Sequence, residues 1–433
     1  MDTTELEQET TAGLLPKLRF PEFQDAPEWE DKKLIEIASK KVKWSFIGGP
    51  FGSNLKASDY TENGIRIIQL QNIGDGEFID NYRIFTSEQK ADELLGCNIY
   101  PGDIILSKMG DPVARACLIP INHKRYVMCS DGIRLVVDEK KFNKFFIYSF
   151  INSSQFRRLA DKAATGSTRK RIGIDELKNQ SVATPGLSEQ QKIAACLSSL
   201  DDLIAAQSQK LAALKTHKKG LMQQLFPAEG QTLPNLRFPE FQGRGEWSQK
   251  FGDKVFEQIT NKQHDSSLPI LAITQEYGAI PRDLIDYQVS VTKKSIEGYK
   301  VVEVSDFIIS LRSFQGGIEY SSYKGICSPA YIILRKKAAI SEIYFKQFFK
   351  TERFIQDLNK NIEGLRDGKM VSYKQFSELL LPVPSLKEQQ KIADCLSSLD
   401  DLIAAQSQKL AALKVHKKGL MQQLFPSPED VQA

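Results

Sequence analysis

Residues 189–227, EQQKIAACLSSLDDLIAAQSQKLAALKTHKKGLMQQLFP, return at 388–426 with two changes in 39 positions, Ala195 to Asp394 and Thr216 to Val415. A repeat of this kind fixes the architecture before any local reading does. With Leu197 at heptad position a, the a positions are Leu197, Ile204, Leu211, Lys218 and Leu225. The d positions are Ile193, Leu200, Gln207, Leu214 and Leu221. Eight of these ten are apolar, the spacing of a coiled-coil helix. The second copy predicts the same seam at Ile392, Leu396, Leu399, Ile403, Leu410, Leu413 and Leu420. Asp201 and Asp202 early and Lys215, Lys218 and Lys219 late suit the helix dipole. Ser385 with Glu388 makes a capping box at the second start, and Pro227 and Pro426 end the helices.

A second repeat marks the remaining boundaries. Leu15-Pro16-Lys17-Leu18-Arg19-Phe20-Pro21-Glu22-Phe23-Gln24 returns as Leu233-Pro234-Asn235-Leu236-Arg237-Phe238-Pro239-Glu240-Phe241-Gln242, and a tryptophan follows each, Trp29 and Trp247. The offset is 218 for this segment and 199 for the helix, so the second intervening domain is 19 residues shorter than the first. Identity between the helices extends beyond the seam to Gln190, Lys192, Ser208, Gln209, His217, Gln223 and Gln224, which the pattern leaves exposed. Recent duplication or gene conversion would explain that. So would one surface presented to two copies of one partner, the reading we favour, because duplication alone would have left the intervening domains alike. If the halves pack around a pseudo-two-fold axis, the end of the second helix lies near Leu15-Pro16 and the chain is nearly circular.

Composition adds loose bounds. The 41% hydrophobic and 26% charged fractions are those of an ordinary globular protein. A net charge of +4 is weak for a nucleic-acid binder, so a DNA-binding face would have to be a local patch. No apolar run approaches the length of a membrane span. The acidic, polar start, MDTTELEQETTAG, reads as a flexible tail and not as a secretory signal. Six cysteines without CxxC spacing and four histidines predict free thiols in a reducing cytoplasm and no zinc site.

The two intervening domains share a faint common order. Gly102-Asp103-Ile104-Ile105-Leu106-Ser107 resembles Ser305-Asp306-Phe307-Ile308-Ile309-Ser310, and Cys129-Ser130 resembles Cys327-Ser328. An aromatic helix follows in each, around Phe145-Phe146-Ile147-Tyr148 and Tyr344-Phe345-Lys346-Gln347-Phe348-Phe349. Each then closes with a basic glycine loop, Gly166-Ser167-Thr168-Arg169-Lys170-Arg171 or Gly364-Leu365-Arg366-Asp367-Gly368-Lys369. One α/β fold used twice with different loops accounts for this. The domains read as a tail at 1–14, a first α/β domain at 15–184 and a first helical region at 185–228. A second linker and domain at 229–382, a second helical region at 383–426 and a tail at 427–433 complete the chain. The fold class expected is α+β: two α/β domains alternating with two long helices paired as an antiparallel coiled coil.

The basic loops carry the best chemical signal. Hydroxyls and amides beside Arg and Lys suit phosphates, and Arg also pairs bidentately with guanine. Candidate contacts in the first domain are Ser167, Thr168, Arg169, Lys170 and Arg171, with Lys108 at a strand end. Gln69, Gln71 and Asn72 have amides suited to adenine edges. Arg312, Gln315, Arg366 and Lys369 are the candidates in the second domain. Each taken singly is as compatible with ordinary surface or turn polarity. Gly48-Gly49-Pro50-Phe51-Gly52 lacks a following GK[ST] and reads as a turn.

No Walker A sequence, HExxH, GxSxG or Asn-Pro-Pro-aromatic motif occurs. The Asp103 to Lys108 strand lacks the second acid that a nuclease centre would place before its lysine. The chain reads as non-catalytic, without a metal site or cofactor of its own.

These features together resemble a type I restriction–modification specificity subunit. The resemblance rests on Gly102-Asp103, the TGSTRKRI loop at 165–172, the LxEQQKI helix starts at 187–193 and 386–392, and the LMQQLFP ends. It covers residues 15 to 426. It implies two target recognition domains, each reading one half of a bipartite double-stranded DNA sequence, in a defence system against foreign DNA. It also implies a helix pair that sets the spacing, and two modification (methyltransferase) subunits docked on the chain. Those partners would hold S-adenosylmethionine, and restriction subunits with ATP and Mg²⁺ would complete the nuclease. A helix of 39 residues spans roughly 58 Å, longer than one turn of B-DNA at about 34 Å. The chain departs from the family pattern in the second domain, where Ser305 stands for the usual glycine and the loop reads GLRDGK. Two alternatives from other classes stay open: a coiled-coil adaptor without DNA recognition, and an enzyme with a cryptic nuclease or methyltransferase centre.

Overall fold

The computed structural model describes residues 14–264, 267–285, 296–360 and 371–426. The chain divides into two compact units, Met1–Gln207 with Lys409–Ala433, and Ser208–Gln408. Both predicted helices form, as Leu187–Leu225 and Leu386–Leu424, each of 39 residues. Each helix starts in one unit and ends in the other. The first unit therefore holds the start of the first helix and the end of the second, and the second unit holds the converse.

In the first unit, a four-stranded antiparallel sheet has the order Phe46–Gly48, Gly132–Leu135, Ile104–Ser107, Ala116–Leu118. Alternation along the Ile104–Ser107 strand sends Ile104 and Leu106 into the main core and Ile105 into a second cluster with Ile68, Ile99, Tyr126 and Met128. Both faces are thus covered, which is why this strand reads as an unbroken apolar run. A five-stranded mixed sheet stands beside it, in the order Tyr60–Thr61, Ile84–Thr86, Ile65–Ile68, Tyr126–Met128, Asn98–Ile99.

The second unit repeats the four-stranded order with Phe256–Ile259, Ile332–Lys336, Phe307–Ile309 and Glu319–Tyr320. Phe307 and Ile309 enter its main core and Ile308 the opposite cluster, so strand and facing match across the two domains. One fold is used twice. In place of the five-stranded sheet, the described residues hold two two-stranded pairs, Leu271–Thr274 with Gly278–Pro281 and Lys300–Val302 with Gly325–Cys327. Each domain is closed by pairing its first strand with its last, Glu30–Lys33 with Ser181–Thr184 and Ser248–Phe251 with Leu380–Val383.

The repeated segments do the same work in both units. Arg19 donates from Nε and Nη2 to both carboxylate oxygens of Glu189, each at 2.8 Å, and Trp29 Nε1 donates to Glu189 at 3.3 Å. Arg237 makes the same pair to Glu388 at 2.7 and 2.9 Å, joined by Trp247 Nε1 at 3.1 Å. An aromatic trio lies against each. Phe146 meets Trp29 and Phe425, while Tyr344 meets Trp247 and Phe226. The Leu18 amide donates to the Gln423 carbonyl at 3.0 Å and the Leu236 amide to the Gln224 carbonyl at 2.9 Å. The LRFPEF segment thus ties each domain to the end of a long helix.

The seam is buried unevenly. Ile193, Leu197, Ile392 and Leu396 are buried in the domain cores, with Leu221 and Leu420 packed at their edges. Leu200, Ile204, Leu211, Leu214, Leu399, Ile403, Leu410 and Leu413 are half-buried. Gln190 corrects the exposed position expected for it. It and Gln389 are buried, accepting from the Asn143 and Ser341 amides and donating to the Pro185 and Pro384 carbonyls. Part of the identity outside the heptad seam is therefore explained by packing.

Candidate nucleic-acid interface

The aspartates after the polar turns shape the scaffold. Gly102 has φ +82° and Ser305 φ +75°, a left-handed conformation that suits glycine. The following acid then caps the turn. Asp103 accepts from the Tyr100 amide at 3.0 Å and from Arg134 Nε at 2.7 Å. Asp306 accepts from the Glu303 amide at 2.8 Å and from Arg335 at 2.8 and 2.7 Å. Burial pushes the Asp103 carboxyl up, and the Arg134 guanidinium opposes that shift. Asp306 uses both carboxylate oxygens on the fold and Asp103 uses its Oδ2, consistent with structural acids.

In the first domain the expected contact residues gather around the turn Cys129–Gly132. The Lys108 amide donates to the Asp131 carbonyl at 2.7 Å, and its Nζ reaches the Ser130 carbonyl at 3.2 Å. Arg171 Nη2 donates to the Asp131 carboxylate at 2.8 Å. The basic loop is clipped to the same strand end: Gly110 N to Lys170 O at 3.1 Å, Ile172 N to Lys108 O at 2.9 Å. Thr165 and Arg171 close its base with two backbone hydrogen bonds of 2.8 Å. Gly166 turns the loop at φ +96°, where a Cβ would lie 2.9 Å from the Arg169 carbonyl. Ser167, Thr168 and Arg169 are left exposed.

The cations are not equivalent. Lys170 Nζ lies 2.6 Å from both carboxylate oxygens of Asp161, which raises its pKa. Lys108 is half-buried, and burial, then the nearby Arg171, lower its pKa. Arg169 stands exposed at the tip. The loop offers a positive surface whose flanks are already oriented by acids.

The three amide candidates separate. Gln71 is exposed, and the half-buried Gln69 donates to the Tyr60 hydroxyl at 3.1 Å in a cleft of about 170 Å³ that includes Ser130 and Asp131. Asn72 corrects the expectation of a base-facing amide. It is fully buried, accepting from the Gln69 amide at 2.9 Å and donating to the Ile79 and Tyr82 carbonyls at 2.8 and 3.0 Å. Asn72→Ala should cost about 1–3 kcal/mol by stranding those groups, read by urea unfolding. The ratio of specific to non-specific DNA affinity should stay unchanged.

In the second domain, Arg312 is exposed just before the short helix Ser313–Gly316 and Gln315 is exposed within it. Arg366 and Lys369 lie outside the described residues. Sequence reasoning passes over Phe51, which is 83% exposed between Pro50 and Gly52, residues that line the same cleft as Cys129, Ser130 and Asp131. Its signal is an aromatic inside a glycine-proline turn, easily set aside once no P-loop follows. The twin Arg–Glu–Trp clusters also escape it, signalled only by the repeat of LRFPEF.

Among the described residues no His, Cys, Asp and Glu group could hold a metal ion, and no helix is long and apolar enough to cross a membrane. All six cysteines are free, and burial pushes the Cys117 and Cys327 thiols up to about 12 and Cys129 up to about 11. Such thiols are poor nucleophiles.

The family described as "Type I restriction modification DNA specificity domain" matches residues 28–216 and 252–415. The chain belongs to that family. The two matches each take in one domain and part of a long helix, so the specificity domain is present twice. Among curated relatives, the putative MjaX type I restriction enzyme specificity subunit of Methanocaldococcus jannaschii is 23% identical over 84% of this chain and 86% of its own length. The MjaVIII specificity subunit of the same organism is 25% identical over half of each chain. In fold, the chain is similar to the crystal structure of a type I S subunit from M. genitalium, with TM-score 0.56, 16% identity, and coverage of 95% of this chain and 99% of that one. A second structure, from work on complex assembly and conformational transition of the type I system, gives TM-score 0.54 at 15% identity and covers 92% of this chain and 98% of that one. The chain is a specificity subunit of a type I restriction–modification system, the DNA-recognition component of this family.

Proposed function

We propose that each domain reads one half of a bipartite double-stranded DNA target. In the first domain, the gathering of Lys108, Arg171, Gln69 and the exposed loop tip around one turn carries this reading. Arg169, Lys170 and Arg171 engage phosphates with help from Ser167 and Thr168, while Gln69 and Gln71 face base edges. Lys108 adds positive charge at the base of the loop. Arg312, Gln315, Arg366 and Lys369 serve the second half-site.

The two long helices pair antiparallel as a coiled coil. Reciprocal ion pairs support this: Lys417 with Asp201 at 2.5 Å in the first unit, and Lys218 with Asp400 at 2.6 Å in the second. Each lysine and each aspartate has its counterpart as the other pair's member, as an isologous arrangement requires. The pair sets the spacing between half-sites. Two modification subunits dock on the near-identical exposed helix faces and bring S-adenosylmethionine. Restriction subunits bring ATP and Mg²⁺.

A double variant, Arg169→Ala with Lys170→Ala, tests the phosphate role. Binding of the assembled methyltransferase should weaken similarly on cognate and random duplexes, and the slope of log K against log salt should fall by up to about two units. An unchanged slope and affinity would remove the loop from the interface. A loss of roughly 1–3 kcal/mol on cognate DNA alone in the single variant Arg169→Ala would instead make Arg169 a base reader.

A further inference from the structure

Among the described residues, Phe51 is a large apolar side chain that the first domain presents almost fully exposed, on a loop anchored to the Cys129–Gly132 turn. Ile121 is equally exposed, at 87%, but stands in the turn between the Ala116–Leu118 and Tyr126–Met128 strands. The position of Phe51 is imposed by its neighbours. Gly49 donates to the Gly132 carbonyl at 2.8 Å, and a Cβ on Gly49 would fall 1.7 Å from the Cys129 carbonyl oxygen. Only glycine permits that backbone approach. Pro50 then fixes the next φ, and the Asn54 amide closes the turn onto the Phe51 carbonyl at 2.8 Å. A Cβ on Gly52 would meet nothing within 4 Å. The ring is thus held out on a short loop anchored at its base.

The setting identifies the partner. The turn that anchors Gly49 is the one that binds Lys108 and Arg171. Pro50 and Gly52 line the same cleft as Gln69, Ser130 and Asp131. An exposed aromatic on a loop whose base borders Lys108, Asp131 and Gln69 matches the apolar wedges that enter between base steps while neighbouring cations hold the backbone. The second domain lacks this glycine-proline turn, since its Phe256–Ile259 strand runs on into Thr260-Asn261-Lys262. We propose that Phe51 packs against a base step in the half-site read by the first domain, partly unstacking it. Specificity there then depends on how readily that step deforms as well as on its edge pattern.

The inference rests on DNA reading by the first domain, and the experiment separates the two. The full chain, assembled with its modification subunits, is bound to duplexes carrying 2-aminopurine at successive positions of the target. Apart from the adenines that the modification subunits extrude for methylation, wild type should raise fluorescence at one step, in one half-site only. Phe51→Ala should abolish that rise and weaken cognate binding roughly 5- to 150-fold, the range for loss of one base–aromatic stack. Its salt slope should stay unchanged, because no charge is removed. Phe51→Trp should keep both signals. Cognate affinity and fluorescence unchanged in Phe51→Ala, with sequence preference intact, would overturn the wedge and leave the reading standing. Absence of any sequence preference in the wild-type complex would overturn the reading itself. Poor assembly with the modification subunits, at unaltered DNA affinity once assembled, would assign Phe51 to a protein contact and overturn the proposal.

Discussion

Replacing Glu388 with alanine should destabilise the second unit by about 3–5 kcal/mol, the range for removing one partner of a buried ion pair. The Glu388 and Arg237 side chains are only 2% and 12% exposed. The substitution leaves that guanidinium without its two carboxylate bonds and strips Trp247 Nε1 of its acceptor. The remaining donation of Arg237 to the Gly245 carbonyl cannot balance the charge. Glu388→Gln, which keeps an acceptor for Trp247 but not the charge, should cost less. Urea unfolding read through Trp247 fluorescence, in a chain with Trp29 and Trp44 replaced by phenylalanine, measures both. A loss below about 1 kcal/mol for Glu388→Ala would show that the cluster is not what ties the LRFPEF segment to the helix start.

A four-residue insertion after Gln207 should change the methylated motif without changing the bases of either half-site. The added rise is about 6 Å and the added rotation about 40°, against about 3.4 Å per base pair. The spacer should therefore lengthen by one to two base pairs, and methylation of the original motif should disappear. Sequencing of methylated adenines in a host carrying the variant reads this directly. Retention of the original spacer by a folded, methylating variant would contradict the ruler role of the helices.

The helices were legible because a sustained heptad is a local pattern, and their ends fall where Pro227 and Pro426 forbid continuation. The repeated fold was legible more faintly, through Gly102-Asp103 against Ser305-Asp306. The sheet order explains why so short a match mattered: both acids ion-pair an arginine on the adjacent strand. What failed was burial. Gln190 looked exposed because the heptad describes one seam and not a domain packed around the first helical turn. Asn72 looked like a base reader because an amide that pairs with adenine is equally suited to bracing a turn. The Arg–Glu–Trp clusters join arginines to glutamates 151 and 170 positions away, beyond any local pattern. The gathering of Lys108 with the 165–171 loop was hidden for the same reason.

Exchange of one domain tests most directly whether the two domains read DNA independently. Residues 30–184 should be replaced by the corresponding domain of another member of the family, leaving both long helices and the second domain untouched. Sequencing of methylated adenines in a host carrying the exchanged chain with its modification subunits then gives the new motif. One half-site should change to that of the donor, while the other half-site remains as in the parent. A motif altered in both halves would contradict modular reading by the two domains.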